Sequence, residues 1–176
     1  WEWDAYGQLF ITTIDQGSDL KDGNISKSLL QKIYTKGDIA LQPPEKFFSK
    51  AAIEQSVKDK LLEDMYLSHC KMMAKESLGG MVTIQIAKDA SMAYALAKRK
   101  KGILIAGAYH TRKDIGIPKH LKFMDKNNLT TLTLIEVEAG KNGLNDYLSN
   151  QAPYTDFVWF TPKYTDEDYC DKLKPQ

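Results

Sequence analysis

The chain has 176 residues, 43% of them apolar and 27% charged, with a net charge of +1. That is enough for one domain with a real core, and the near-neutral balance argues against a polyanion-binding surface, so nucleic acid is not expected as a partner. No apolar stretch approaches the roughly 20 residues of a membrane span.

The first residues, WEWDAYGQLF, lack an initiator Met and already read as structured sequence. The chain therefore reads as the continuation of a longer one, with any targeting signal in the earlier part. Trp3, Tyr6, Phe10 and Ile14 recur every three to four residues, which predicts a helix ending at Gly17. Asn24 and Ser26 then open a second helix, with Ile25, Leu29, Leu30 and Ile33 on one face and a stop at Gly37. Pro43 and Pro44 put LQPPEKFFS in a loop.

From about Lys50 to Lys101 the pattern is helical. SKAAIEQSVKDKLLEDMYLSHCKMMAKES reads as one long amphipathic helix, Gly79–Gly80 as a break, and MVTIQIAKDASMAYALAKRKKG as a second helix with a basic end. The basic run Lys98 to Lys101 fits a solvated helix end.

The character changes at GILIAGAY, a short apolar run of the kind buried on both faces in a parallel sheet. Pro118 suits the first turn of a helix through about Asn127. NNLTTLTLIEVEA is β-branched and predicts a strand, GLNDYLSNQ a short helix, and TDFVWFTP another strand. KYTDEDYCDKLKPQ reads as a peripheral tail. Strand, helix, strand, helix, strand predicts an α/β fold, a parallel sheet with flanking helices plus an α-helical subdomain. The expected divisions are 1–49 and 102–176 for the α/β part and 50–101 for the helical subdomain.

Ligands of open parallel sheets gather outside the carboxyl ends of the strands. Gly107, Ala108, Tyr109 and His110 fill the first loop past GILIA, so that loop is the expected site. His110 has the chemistry of a metal ligand, a base or a carboxylate partner. Tyr109 is a hydrogen-bond donor, a core aromatic or, as phenolate, a hard ligand for ferric iron. Arg112 and Lys113 suit carboxylates. Lys119 and His120 read as exposed positions early in the next helix. Tyr66, His69, Cys70 and Met73 are spaced to share one helix face, either as core or as ligands. Gln85, Asp89 and Met92 share another, and a buried Gln–Asp pair there needs a hydrogen-bond partner. Cys70 and Cys170 form no CxxC motif; a single disulfide and two free buried thiols stand about equal.

WEWDAYGQLF, NIS, SHC, MVTIQIAKDASMA, AGAYHTRKDIGIPKHL and DFVWFTP stand in the order found in the ChaN-like family, haem-binding lipoproteins of bacterial iron uptake, which the chain resembles. The family's N-terminal strand with its Gly-Glu-x-His motif has no counterpart here. The resemblance implies a non-enzymatic protein that holds ferric haem at a homodimer interface. A tyrosine would ligate iron, with Tyr109 the first choice and Tyr66 the second. His110 and Lys113 would meet the propionates, with Arg112, His69 and Met73 around the pocket and Gln85 and Asp89 supporting it. It further implies an outer-membrane lipoprotein on the periplasmic side, anchored by lipid outside this chain and partnered by a haem receptor. The alternative it implies is a metal-dependent hydrolase-like protein using Gly107-x-x-His110.

Overall fold

In the computed structural model, residues 3–41, 43, 53–141, 143–147 and 154–173 are described. The helix α1 spans Trp3–Asp15, and the chain leaves it through Gly17 in a left-handed conformation. The helix α2 spans Lys27–Lys36. Ser26 caps it, accepting a 3.2 Å hydrogen bond from the Leu29 amide, and Gly37 ends it at positive φ. Both helices stand where periodicity places them. Most of the expected Pro43–Pro44 loop lies outside the described residues.

The long helix expected after Lys50 is shorter and interrupted. The helix α3 spans Gln55–Ser68, after which Cys70 and Lys71 take positive φ and turn the chain away. A 3-10 turn over Lys75–Leu78 leads into α4, Gly79–Ala97, so the Gly79–Gly80 pair lies in the first turn of a helix rather than in a gap. Apolar periodicity runs on through residues 69 to 74, but Cys70 is tied to Cys170 by a disulfide, and the chain turns there. The predicted face of Tyr66, His69, Cys70 and Met73 therefore does not exist as a helix face beyond Ser68.

Helix α4 is the axis of the molecule. Its Val82 and Ile86 meet Val57 and Leu61 of α3, with Ile115 between them. Ile84 and Ala87 meet Ile33 of α2 and Leu41. Met92 and Ala93 meet Ile117 and Leu121. A helix buried on three sides needs apolar residues all round, which explains why VTIQIAKDASMA carries so little polar face. Asp89, at 0% exposure, is the charged exception inside it.

GILIA does not form a strand among the described residues. The segment up to Gly107 has no regular secondary structure, and Leu104 and Ala106 pack on the α4 core while Ile103 is 93% and Ile105 45% exposed. An apolar run becomes a strand only if a neighbour completes its hydrogen bonds. The sheet consists of β1, Leu132–Glu136, and β2, Phe157–Thr161, paired in parallel with Leu132 opposite Phe157 and Leu134 opposite Trp159. Thr133 is buried on the inner face, whereas Leu132, Leu134, Phe157 and Trp159 are exposed on the outer one.

Between these parts lie the one-turn helix α5, Ala108–Thr111, and α6, Ile117–Phe123. Pro118 opens α6 as expected, but the helix stops at Phe123 and Asp125 turns left-handed. His120, expected at the surface, is fully buried, because it shares the inward face of α6 with Ile117 and Leu121. The segment 144–146 is a 3-10 turn rather than an α-helix. A last helix, α7, spans Tyr169–Leu173. It is not a loose tail, since Cys170 is bonded to Cys70.

Candidate functional site

Gly107 begins α5 and accepts a 2.9 Å hydrogen bond from the His110 amide, which closes the single turn that projects Tyr109 and His110. The chain then folds back tightly at Gly116, whose amide donates to the Arg112 carbonyl at 2.9 Å. A Cβ at Gly116 would stand 2.2 Å from the His110 carbonyl oxygen, so only glycine permits this return. The loop from 107 to 116 is thus a compact hairpin over α4.

His110 points down onto α4. Its Nδ1 lies 2.5 Å from Asp89 Oδ1 and 3.0 Å from Gln85 Nε2. Gln85 and Asp89 are one turn apart, so they reach the same ring atom. Burial pushes the Asp89 carboxyl up to about 6, against the opposing pull of the His110 hydrogen bond and the charges of His110 and Lys88. The partner that the sequence required for this polar pair is therefore the histidine of the loop. The other carboxylate oxygen, Oδ2, is buried and has no hydrogen-bond partner among the described residues.

The basic residues after His110 are largely committed to holding the loop. Arg112 is 5% exposed and gives Nε and Nη2 to Asp114 at 3.0 and 2.7 Å and Nη1 to Asp64 of α3 at 3.1 Å. Its guanidinium lies 4.5 Å from the Tyr154 ring and 5.8 Å from the Tyr109 ring. Lys60 of α3 adds a 2.5 Å bond to Asp114 and a 3.1 Å bond to the Tyr154 hydroxyl. Burial raises the Asp114 carboxyl, but its bonds to Arg112 and Lys60 outweigh that and hold it below the ordinary range. Lys113 pairs with Asp156, which is held low first by that lysine and then by the Thr131 amide. Asp156 in turn accepts from the Thr131 amide at 2.8 Å, tying the loop to the start of β1.

Tyr109, between these groups, is 42% exposed. The Tyr66 ring, half-buried near the end of α3, is covered by Lys75 at 4.8 Å. His69 caps α3, its Nδ1 2.8 Å from the Met65 carbonyl oxygen, and Met73 follows in the loop beyond. Gln85, Asp89, Tyr109, His110, Arg112 and Lys113 are thus assembled in or beneath one loop. Tyr66, His69 and Met73 belong to the end of α3, beside the disulfide. Asp114, two residues after Arg112, is a local partner that was missed; Asp64, Tyr154 and Asp156 were missed because nothing local in the sequence links them to residues 110–113. Among the described residues no group of three or more His, Cys, Asp or Glu side chains is arranged to hold a metal ion.

A family model described as haem-binding uptake, Tiki superfamily, ChaN matches residues 1–121. The chain belongs to the ChaN family. Among solved structures it resembles one described as "Cofacial heme binding to ChaN of Campylobacter jejuni", with 30% identity and a TM-score of 0.64. The match covers 82% of this chain and 54% of that one, so the chain spans about half the length of its ChaN relative. No curated protein matched it. The ChaN match agrees with the mixed α/β architecture read from the element order.

Proposed function

We propose that this ChaN-family chain binds ferric haem in bacterial iron uptake, as a carrier and not as an enzyme. The observation that carries the reading is the side-by-side display of an exposed Tyr109 and an anchored His110 at the end of an apolar segment. A phenolate is a hard ligand suited to Fe(III), and a single tyrosinate without thioether links would permit release. Exposed Ile103 and Ile105, just before the loop, offer apolar surface to the macrocycle. The residues present therefore suit the group.

In this reading Tyr109 is the iron ligand, with Tyr66 as the alternative at the end of α3. His110 and Lys113 would hold the propionates, Lys113 being paired with Asp156 in this structure. Arg112 shapes the pocket through Asp64 and Asp114. His69 and Met73 belong to the pocket only if Tyr66 is the ligand. Two clefts lie away from the loop, one beside Leu67, Cys70 and Met72 and another beside Leu41, Leu62 and Val82. Tyr109 and Lys113 are exposed on the loop, and in this reading a second copy of the chain would close over haem there as a homodimer. We place the protein at the periplasmic side of the outer membrane, held by lipid, with a haem receptor as its partner. The disulfide agrees with an oxidising compartment. No helix among the described residues is long and apolar enough to cross a membrane.

A hemin titration followed by absorption tests this. Saturable binding with a high-spin ferric tyrosinate spectrum and a shift toward dimer on size measurement is the expected result; a linear, non-saturating response overturns it. The His110–Asp89 contact also suits a hydrolase-like reading through Gly107-x-x-His110, for which metal-stimulated hydrolysis is the measurement.

A further inference from the structure

Asp89 is an expensive residue. It is fully buried in the middle of α4, beside Ala90 and Ala93, which are also at 0% exposure. One carboxylate oxygen meets only the His110 ring and the Gln85 side chain lies against the same ring atom, while Oδ2 has no hydrogen-bond partner among the described residues. A helix core is cheaper with an apolar residue at such a place, and breaking even with a buried charge demands that its lone pairs be satisfied. This carboxylate is only half satisfied, so its contribution to the fold does not account for it. What it does act on is one atom, Nδ1 of His110.

Neutral imidazole carries its proton on one nitrogen, and the hydrogen bond made by the other decides which. A carboxylate facing Nδ1 accepts from an N–H there. Gln85 Nε2 stands 3.0 Å from the same Nδ1; two donors do not face each other, so an N–H there requires the Gln85 amide to turn its oxygen inward, the two ends of the amide being equal in shape. We propose that Asp89, assisted by Gln85, is a positioning residue that holds the proton on His110 Nδ1 and thereby presents Nε2 as the nitrogen that meets a bound ligand. Asp89 touches no ligand itself. When the ring carries both protons it bridges two carboxylates, giving Nδ1–H to Asp89 and Nε2–H to an acidic group of the ligand. When it carries one, Nε2 offers a lone pair. In either state the ring plane is fixed from beneath by two side chains on a rigid helix, the arrangement that outer-shell partners provide at metal and anion sites.

That the ligand is haem rests on the proposed function; that Nδ1 is held does not. The test uses the whole chain with Asp89→Asn, Asp89→Glu and Gln85→Leu. Long-range proton–nitrogen spectra of the ring, assigned with His110→Gln, report which nitrogen is protonated. Hemin titrations report affinity, and thermal unfolding reports the fold. The expected result is an Nδ1-protonated ring in the wild type and a redistribution of that proton in Asp89→Asn. Hemin affinity should fall about tenfold or more, with Tm unchanged or raised, and Asp89→Glu should recover part of it. An unchanged ring spectrum in Asp89→Asn overturns the inference. So does a several-degree drop in Tm with unaltered hemin affinity, which makes Asp89 a structural residue. If the wild type binds no hemin, the haem reading fails and the ring spectrum alone decides the role of Asp89.

Discussion

At the residue scale, the buried Asp89 gives the protein a pH signature of unusual sign. Burial raises its folded pKa to about 6, above the ordinary carboxylate value. The folded state therefore holds a proton that the unfolded chain has released, and stability falls as pH rises from about 4 to about 6. A shift of about two units corresponds to roughly 3 kcal/mol. Asp89→Asn should be more stable than the wild type at pH 7 by up to about that amount. The difference should vanish near pH 4, as read from urea unfolding at several pH values. Asp114 and Asp156, both held below the ordinary range, act in the opposite direction, supporting the fold above about pH 4 and losing that support as pH falls. The wild-type-minus-variant difference isolates Asp89 from them. The sequence shows why Gln85 and Asp89 share a face and that they need a partner; it does not reveal that Arg112 and Lys113 answer to Asp64, Asp114 and Asp156. The pairs with Asp64 of α3 and Asp156 before β2 are brought together only by the tertiary fold, whereas the Arg112–Asp114 pair closes within the loop, two residues apart.

At the element scale, the loop from 107 to 116 depends on its glycine return more than on its charges. Gly116→Ala would drive a methyl group into the His110 carbonyl, where backbone cannot give way cheaply. A loss of roughly 2 kcal/mol or more is expected, together with release of His110 from Asp89. Denaturant midpoints and the His110 ring spectrum check both. The contrast with GILIA is instructive. Its composition is that of a buried strand, and Leu104 and Ala106 do pack inward, yet Ile103 and Ile105 remain exposed and no ladder forms among the described residues. Local pattern records which residues seek burial, while strand formation depends on neighbours that the pattern does not contain. By contrast α1, α2 and the β1–β2 pair were legible, because Ser26, Gly17, Gly37 and the β-branched runs act locally. The break after Ser68 was not, since the helical spacing runs unbroken past it.

At the scale of the whole molecule, two long-range features organise the chain. Helix α4 gathers three apolar clusters around itself, and the Cys70–Cys170 disulfide closes a span of 100 residues between the end of α3 and α7. A spacing of that length carries no motif, which is why pairing and free thiols stood level on the sequence alone. Closing a loop of this size is worth about 5 kcal/mol through the unfolded chain. Cys70→Ser with Cys170→Ser, or reductant on the wild type, should lower Tm by several degrees and leave the His110 ring spectrum unchanged, because the loop is held by other contacts.

In the proposed function the loop after Ile105 receives haem iron through Tyr109. This is tested most directly by titrating hemin into the wild type, Tyr109→Phe and Tyr66→Phe and recording the ferric absorption spectrum. A tyrosinate-ligated spectrum is expected in the wild type and Tyr66→Phe, and its loss in Tyr109→Phe. Retention of that spectrum in Tyr109→Phe and its loss in Tyr66→Phe would move the iron to the end of α3, and no saturable spectrum in any of the three would contradict haem binding itself.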